Sequence, residues 1–148
     1  MSRSAAYLLR AKNPSDSLRT IAKAMPGALG GAFYREAGRV QRFALPLTPV
    51  EFDRLRGSQY VTPPTGPALT VEFGYGAAHA VPVHENTDPT VQWGEPGTGP
   101  KYFQKAIDAT DAGRLQRIAD DAWANVRDGR EFGRADHEFV TRPRGGPG

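Results

Sequence analysis

Leu29, Phe33, Ala37, Val40 and Ala44 recur every three or four residues between two proline-marked breaks, Pro26-Gly27 before them and Pro46 and Pro49 after. That period places the five on one side of a helix, with Arg35, Glu36, Arg39 and Arg42 on its other faces. The spacing predicts one amphipathic helix over residues 27–45. A stripe of that length has to be covered by a second layer, so the chain is constrained to a layered, single-core domain. Upstream, Asn13 reads as an N-cap and Pro14 as the first helical position, with Leu18, Ile21, Ala22 and Met25 continuing at helical spacing. Proline lacks the amide donor a helix interior needs, so Pro26-Gly27 is expected to break or kink this first helix.

Further on the period changes. Leu69, Val71, Phe73 and Tyr75 alternate with Thr70, Glu72 and Gly74, which predicts a half-buried strand with the first four facing inward. "SQYV" (58–61) is its expected antiparallel partner, joined through the turn-rich "TPPTGP". A short helix is expected within 77–85, with Pro82 in its first turn, followed by a turn at "NTDPT" and a short strand at "VQWG". From Lys101 a helix carries Phe103, Ala106 and Ile107 on one face. Asp111 reads as the N-cap of a second piece whose stripe is Leu115, Ile118, Ala119, Ala122 and Val126. The order describes an α+β fold: long helices packed on a small, mostly antiparallel β-sheet. Its single domain is expected over 13–128, with an extended N-terminal arm at 1–12 (Tyr7, Leu8, Leu9) and an extended C-terminal tail at 129–148 (Phe132, Phe139, Val140). The tail is too polar to fold alone and is expected to dock on something.

Composition narrows the chemistry. Cysteine is absent, which removes disulfides and thiolate zinc sites. No run approaches the roughly 18 apolar residues of a membrane span, and no signal-like stretch follows Met1, so a soluble chain with no membrane partner is expected. Charge is uneven: residues 1–60 hold ten Lys/Arg against four Asp/Glu, and residues 61–148 hold nine against twelve. A chain polarised in this way is suited to packing head-to-tail against copies of itself.

Two of the three histidines, His79 and His84, fall in "GYGAAHAVPVHENTD", with Glu85 next to the second. A zinc hydrolase helix needs His at i and i+4 with Glu between them. Here the spacing is five, Pro82 intervenes, Glu85 follows, and the remaining histidine, His137, lies in the tail. His84 and Glu85 read instead as a polar latch, bonding nearby backbone or another subunit. A metal-dependent hydrolase using His79, His84 and Glu85 stays as an alternative. No serine sits in G-x-S-x-G, and "GALGG" and "GEPGTG" lack the G-K-[ST] ending of a phosphate loop. Catalytic, cofactor-binding and metal residues are therefore expected to be none, with no cofactor. The other alternative is a DNA-binding module: Arg35, Arg39 and Arg42 line one helical face and Arg54 and Arg56 follow, although no aromatic residues interleave with them.

"PLTPVEFDRLRGSQYV" (46–61) and "VEFGYGAAHAVPVHEN" (71–86) resemble segments of the small neck and tail-completion proteins of tailed bacteriophages. In that family a helix ends at P-x-D-T-G-x-L-R-x-S, an extended Tyr-Val piece follows, then a G-Y-x-x-x-Y-A-x-Y-V-H-E turn, and later a helix opened by Lys/Trp-Phe-Leu. Pro49, Leu55, Arg56 and Ser58 match the first motif, and Tyr60-Val61 the extended piece. Gly74, Tyr75, Ala80, Val83, His84 and Glu85 match the turn, and Lys101, Tyr102 and Phe103 the helix opening. The similarity spans about residues 20–127; Phe52-Asp53 stands in place of Thr-Gly, and Pro82 in place of an aromatic. The resemblance implies a non-enzymatic structural virion protein that forms a ring at the head-to-tail junction. Six copies are expected in that ring, with twelve as the other arrangement. Its neighbours would be portal, adaptor or head-closure proteins on one side and tail-tube or tail-terminator proteins on the other, with non-specific contact to phage DNA left open. Arg54, Leu55, Arg56, Ser58, Tyr75, His84, Glu85 and Phe103 become interface or structural residues, and Arg35, Arg39 and Arg42 face a partner or DNA. The net-positive half of one copy would face the net-negative half of the next, with arm and tail lying on adjacent copies.

Overall fold

A computed structural model of the protein describes residues 14–50, 53–65 and 69–130. The arm at 1–12, the Asn13 cap, Phe52 and the tail from residue 131, with Phe132, His137, Phe139 and Val140, lie outside the described residues.

Helix α1 runs without interruption from Pro14 to Ala44, 31 residues, so the expected break at Pro26 does not occur. Proline removes one amide bond, yet its fixed φ near −65° is itself helical, and a helix passes through it when packing on the far side is strong enough. Here it is. From Ala28 to Ala44 the helix is buried on most of its circumference: Ala28, Ala32, Tyr34, Glu36, Ala37, Val40, Gln41 and Ala44 all have little exposed surface. The expected amphipathic helix is therefore the centre of the molecule, with Glu36 inside and not on a solvated face. Gly30 leaves room for the connector that follows the first strand, since a Cβ there would sit 3.1 Å from Pro64. The helix tightens into a 3-10 turn at Leu45–Leu47. Thr48 closes it, its amide and its hydroxyl both donating to the Ala44 carbonyl, at 3.0 and 2.8 Å.

The remaining elements are α2 (Asp53–Gly57), β1 (Gln59–Val61), β2 (Phe73–Tyr75), α3 (Ala80–Glu85), α4 (Tyr102–Ala109) and α5 (Arg114–Asp128). The five helices of the described residues thus pack on a two-stranded antiparallel sheet, an α+β fold. β1 and β2 pair with Gln59 opposite Tyr75, Tyr60 opposite Gly74 and Val61 opposite Phe73. The strand expected from Leu69 to Tyr75 is cut to its last three residues. Beyond Val61 the Thr62 amide still donates to the Glu72 carbonyl at 2.7 Å, but the Glu72 amide turns to the Thr62 hydroxyl at 2.8 Å, so a side chain replaces one of the two main-chain partners and the ladder ends. Leu69 has φ 51°, the left-handed region, and turns the chain at the Thr65–Thr70 bridge.

Two other local expectations change. "VQWG" forms no strand, because its first donor is used locally: the Val91 amide bonds the Asp88 carbonyl at 3.2 Å, while Thr90 satisfies the Asp88 carboxylate. Asp111 does not cap α5; Gly113, at φ 72°, holds the N-cap position, and the Asp111 carboxylate binds the Arg114 guanidinium at 3.0 Å.

Two small clusters form the core. Val40, Ala44 and Ala106 make one, and Leu55, Ala80 and Tyr102 the other; Leu47 and Phe103 touch both. α5 lies antiparallel on α1, with the Asn125 amide donating to the Ala28 carbonyl at 3.1 Å. Its buried side is Ala122, Asn125 and Val126. Leu115 is 82% exposed and Ala119 is also exposed, so the expected apolar stripe is rotated. Arg114, Arg117 and Asp121 turn toward α1 in their place. No helix among the described residues is long and apolar enough to cross a membrane.

The two leucines separate core from surface. Leu55→Ala, at a site 0% exposed, is expected to lower unfolding free energy by about 2–5 kcal/mol in urea denaturation. Leu115→Ala is expected to change it by less than about 0.5 kcal/mol.

Candidate functional site

The residues singled out by sequence lie in two places. One is the corner where α2, β2, α3 and α4 meet. Leu55 is fully buried there against Ala80 and Tyr102, with Tyr75 and Phe103 packed around them. Phe103 stands edge-on to Phe73 and Tyr75, with ring centres 5.5 and 5.9 Å apart. The Tyr75 hydroxyl accepts from the Gln59 amide at 2.7 Å and lies 2.6 Å from the Thr48 hydroxyl. Thr48 has already given its proton to Ala44, so Tyr75 donates and Thr48 accepts. Burial raises the Tyr75 phenol above its ordinary value despite those bonds. The same cause, with the Tyr75 charge adding to it, pushes Tyr102 up to about 12. Both rings therefore remain protonated donors, Tyr102 giving its proton to the Ala80 carbonyl at 3.1 Å.

Ser58 and Arg56 fasten the corner from below. The Ser58 hydroxyl bonds the Leu55 carbonyl at 2.7 Å, and its own carbonyl receives the Gly76 amide at 2.9 Å. Arg56 reaches back to the Thr48 carbonyl at 3.0 Å and forward to Glu95 at 2.9 Å. The glycine-rich loop after Gly94 thus closes on an arginine of this chain. Arg54 is exposed and takes no part.

His84 and Glu85 do form a latch, within the chain. The His84 Nδ1 lies 2.8 Å from the Glu85 carboxylate and Nε2 lies 3.4 Å from the Gln104 amide, which fits the tautomer protonated at Nδ1. The His84 carbonyl takes the Lys101 amide at 2.8 Å, and the Lys101 ammonium pairs with Glu85. Lys101, then His84, hold the exposed Glu85 carboxyl below its usual value. Lys101 sits at the N-cap of α4 with φ 57°, so the latch fixes a left-handed residue that turns the chain into the helix. Tyr60, Tyr75, His84, Glu85, Tyr102 and Phe103 border one hollow of about 300 Å³. His79 stands apart, at the N-cap of α3. Among the described residues no three His, Asp or Glu side chains converge as a metal site would require.

The second place is α1. Arg35, Arg39 and Arg42 are all half-buried, not a solvated stripe. Arg39 binds Glu36 at 2.8 Å and Asp121 at 3.0 Å, while Arg39 and Arg42 border a hollow with Phe43, Pro46, Leu47 and Thr110.

Sequence reading missed the most buried charge among the described residues. The Glu36 carboxylate receives Arg117 at 2.7 Å and Arg39 at 2.8 Å, with Arg114 at 3.5 Å. Arg114 also donates to the Ile107 carbonyl at 2.8 Å, capping the C-terminal end of α4, where a cation is favoured. Only the spacing Arg114, Arg117, Asp121 hinted at a charged inner face. Beside this cluster lies an apolar cavity of about 400 Å³, walled by Phe33, Val40, Leu69, Val71, Phe73, Ile107 and Ile118.

The chain matches no protein-family model, no curated protein and no solved structure.

Glu36 makes stability depend on pH. Burial raises its carboxyl, but the hydrogen bonds and charges of Arg117 and Arg39 outweigh that and hold it below the ordinary value of 4.5. A depressed carboxyl contributes its full stability above the unfolded value and loses it as pH falls through the folded one. Glu36→Gln is expected to cost about 3 kcal/mol at pH 7, the low end for a broken buried pair, because the guanidinium side chains keep 23–35% of their surface. The variant should also lose less stability than the native chain between pH 5 and pH 3 in urea melts, the window around and below that value of 4.5.

Proposed function

We propose that the chain is a non-enzymatic structural protein of a tailed-bacteriophage virion, a ring component at the head-to-tail junction that joins the DNA-filled head to the tail. The resemblance in sequence carries this reading. Its support is that the matching residues, scattered over positions 49–103, pack together: Leu55, Ala80 and Tyr102 form one cluster, bordered by Tyr75, Val83 and Phe103. His84 and Lys101 then join the turn to the helix opening.

The exposed side of α5 suits self-association. Leu115, Ala119 and Trp123 recur every four residues along it, Leu115 being 82% and Trp123 47% exposed. Such an apolar ridge is suited to contact between copies. In this reading the ring holds six copies, closed head-to-tail, with portal-side or tail-side proteins as neighbours. The engagement of both His84 nitrogens and of Arg39 within the fold favours it over the hydrolase and DNA-binding alternatives.

Deleting the gene should yield separate heads and tails, or heads that leak DNA, on electron micrographs. Leu115→Arg with Trp123→Arg should leave the circular dichroism melt intact while abolishing incorporation into particles. Normal virion yield from the deletion would refute the assignment, and full incorporation of the double variant would remove the ridge from it.

A further inference from the structure

Phe33, Leu69, Val71 and Ile118 are half-buried, yet none of the four belongs to either core cluster. With Phe73 of β2 and Ile107 of α4 they border the cavity of about 400 Å³ beside the Glu36 cluster. Its walls come from α1, α4, α5, β2 and the segment that enters β2, so no single stretch of sequence announces it. Leu69 is held there at φ 51°, a conformation uncommon for leucine, and residues strained in this way gather at ligand clamps and switch regions.

Size and lining suit a small molecule. Ligand sites are mostly apolar, with a few placed polar groups. An apolar cavity of about 150 Å³ already holds a benzene ring. One of about 400 Å³ has room for two fused rings or a chain of about ten carbons.

The polar end decides the chemistry. Glu36 and Arg114 both border the cavity. The Glu36 carboxylate is occupied, receiving Arg117 Nη2, Arg39 Nη1 and Arg117 Nε at 2.7, 2.8 and 3.3 Å. Arg114 is not fully used. Its Nη1 donates to Asp111 at 3.0 Å, and its Nη2 to the Ile107 carbonyl and the Thr110 hydroxyl at 2.8 and 3.1 Å. Its Nε is buried without a hydrogen-bond acceptor; the Glu36 oxygen 3.5 Å away makes an ion pair but no hydrogen bond. A buried donor left in this way is costly, and a ligand acceptor would relieve it. Charge narrows the choice further. Arg39, Arg114 and Arg117 are balanced by Glu36, Asp111 and Asp121, so no surplus positive charge is left to hold an anion. A cationic ligand would find its carboxylate already taken by guanidinium groups.

We propose that this cavity binds a small, uncharged, mainly apolar molecule with one hydrogen-bond acceptor, its rings or chain lying against Phe33, Val71, Phe73 and Ile118 and its acceptor oxygen meeting the Arg114 Nε–H. The site stands apart from the Tyr75–His84 corner and does not depend on the assembly the chain enters.

Titration of the full-length chain with 1-tetralone, a neutral ketone on two fused rings, tests it by amide chemical shifts. Saturable shifts are expected at residues 33–40, 69–73 and 114–118, with a Kd on the order of 0.1 mM for a ligand of this size. Tetralin, the same rings without the oxygen, should bind about tenfold more weakly, the factor of one hydrogen bond to a charged donor. Tetralin-1-carboxylate, which brings a negative charge beside Glu36, should not shift these residues at the same concentration. Val71→Trp should fill the cavity and abolish tetralone binding. Thr70→Trp, at an exposed position of the wall where the core is untouched, should block it as well and leave the circular dichroism melt unchanged. No saturable shift at these residues, equal affinities for tetralone and tetralin, tighter binding of the carboxylate, or binding that survives both tryptophan variants would each overturn the proposal.

Discussion

A single carboxylate sets how this fold is assembled. Glu36 lies on the central helix with only 4% of its surface exposed, and guanidinium groups from α1 and α5 converge on it. Small residues line the rest of the contact: Ala28 and Ala32 on α1, Ala122 on α5. Such a seam lets two helices approach closely but gives little resistance to sliding or rotation, because alanine offers no distinctive knob. The carboxylate supplies what the alanines lack. Arg117 reaches it from α5 only in one register, and Asp121 answers Arg39 from the opposite helix. Arg114 carries the same register into the end of α4 through the Ile107 carbonyl. Asp111, Asp121 and Glu36 balance the three arginines, so the cluster is close to neutral and its burial is tolerable.

That register shapes the rest. With Arg114 and Arg117 turned inward, Leu115, Ala119 and Trp123 are forced to the outer side of α5, where they form the ridge proposed above for contact between copies. The far end of α5 comes to rest at Ala28. At the opposite end of α1, polar side chains again do the fixing: Gln41 donates to the Tyr60 and Gly74 carbonyls at 3.0 and 2.9 Å, holding both strands to the helix. A sheet of two three-residue strands is not stable alone. Gln41, Thr48 and Tyr75 hold it in place, which explains why the motif residues of this corner are mostly packing and hydrogen-bonding groups.

Much of this architecture was legible in the sequence. Period-3.6 spacing located α1 and α4, strict alternation located β2 at the end of its run, and "SQYV" contains the antiparallel partner, Gln59–Val61. The His84–Glu85 latch was readable from an ion-pairing dipeptide beside a turn, although its third member, Lys101, lies sixteen residues away and needed the fold. The errors along the contact of α1 with α5 have one common source. Periodicity assigns polar residues outward, so it puts Glu36 on an outer face and Leu115 in the apolar stripe. When charges neutralise one another across two helices, the buried face is no longer the most apolar one, and no single-helix pattern reports that. Proline likewise reads as a break, while its backbone angle permits the continuation seen at Pro26.

Register control by Glu36 is measured most directly by a double-mutant cycle across the two helices. Unfolding free energies of Glu36→Ala, Arg117→Ala and the double variant should be strongly non-additive. The double change should cost at least about 1 kcal/mol less than the sum of the singles, since removing both partners leaves neither charge buried alone. Additivity within about 0.5 kcal/mol would mean that the alanine seam alone positions α5, and that Glu36 does not set the fold.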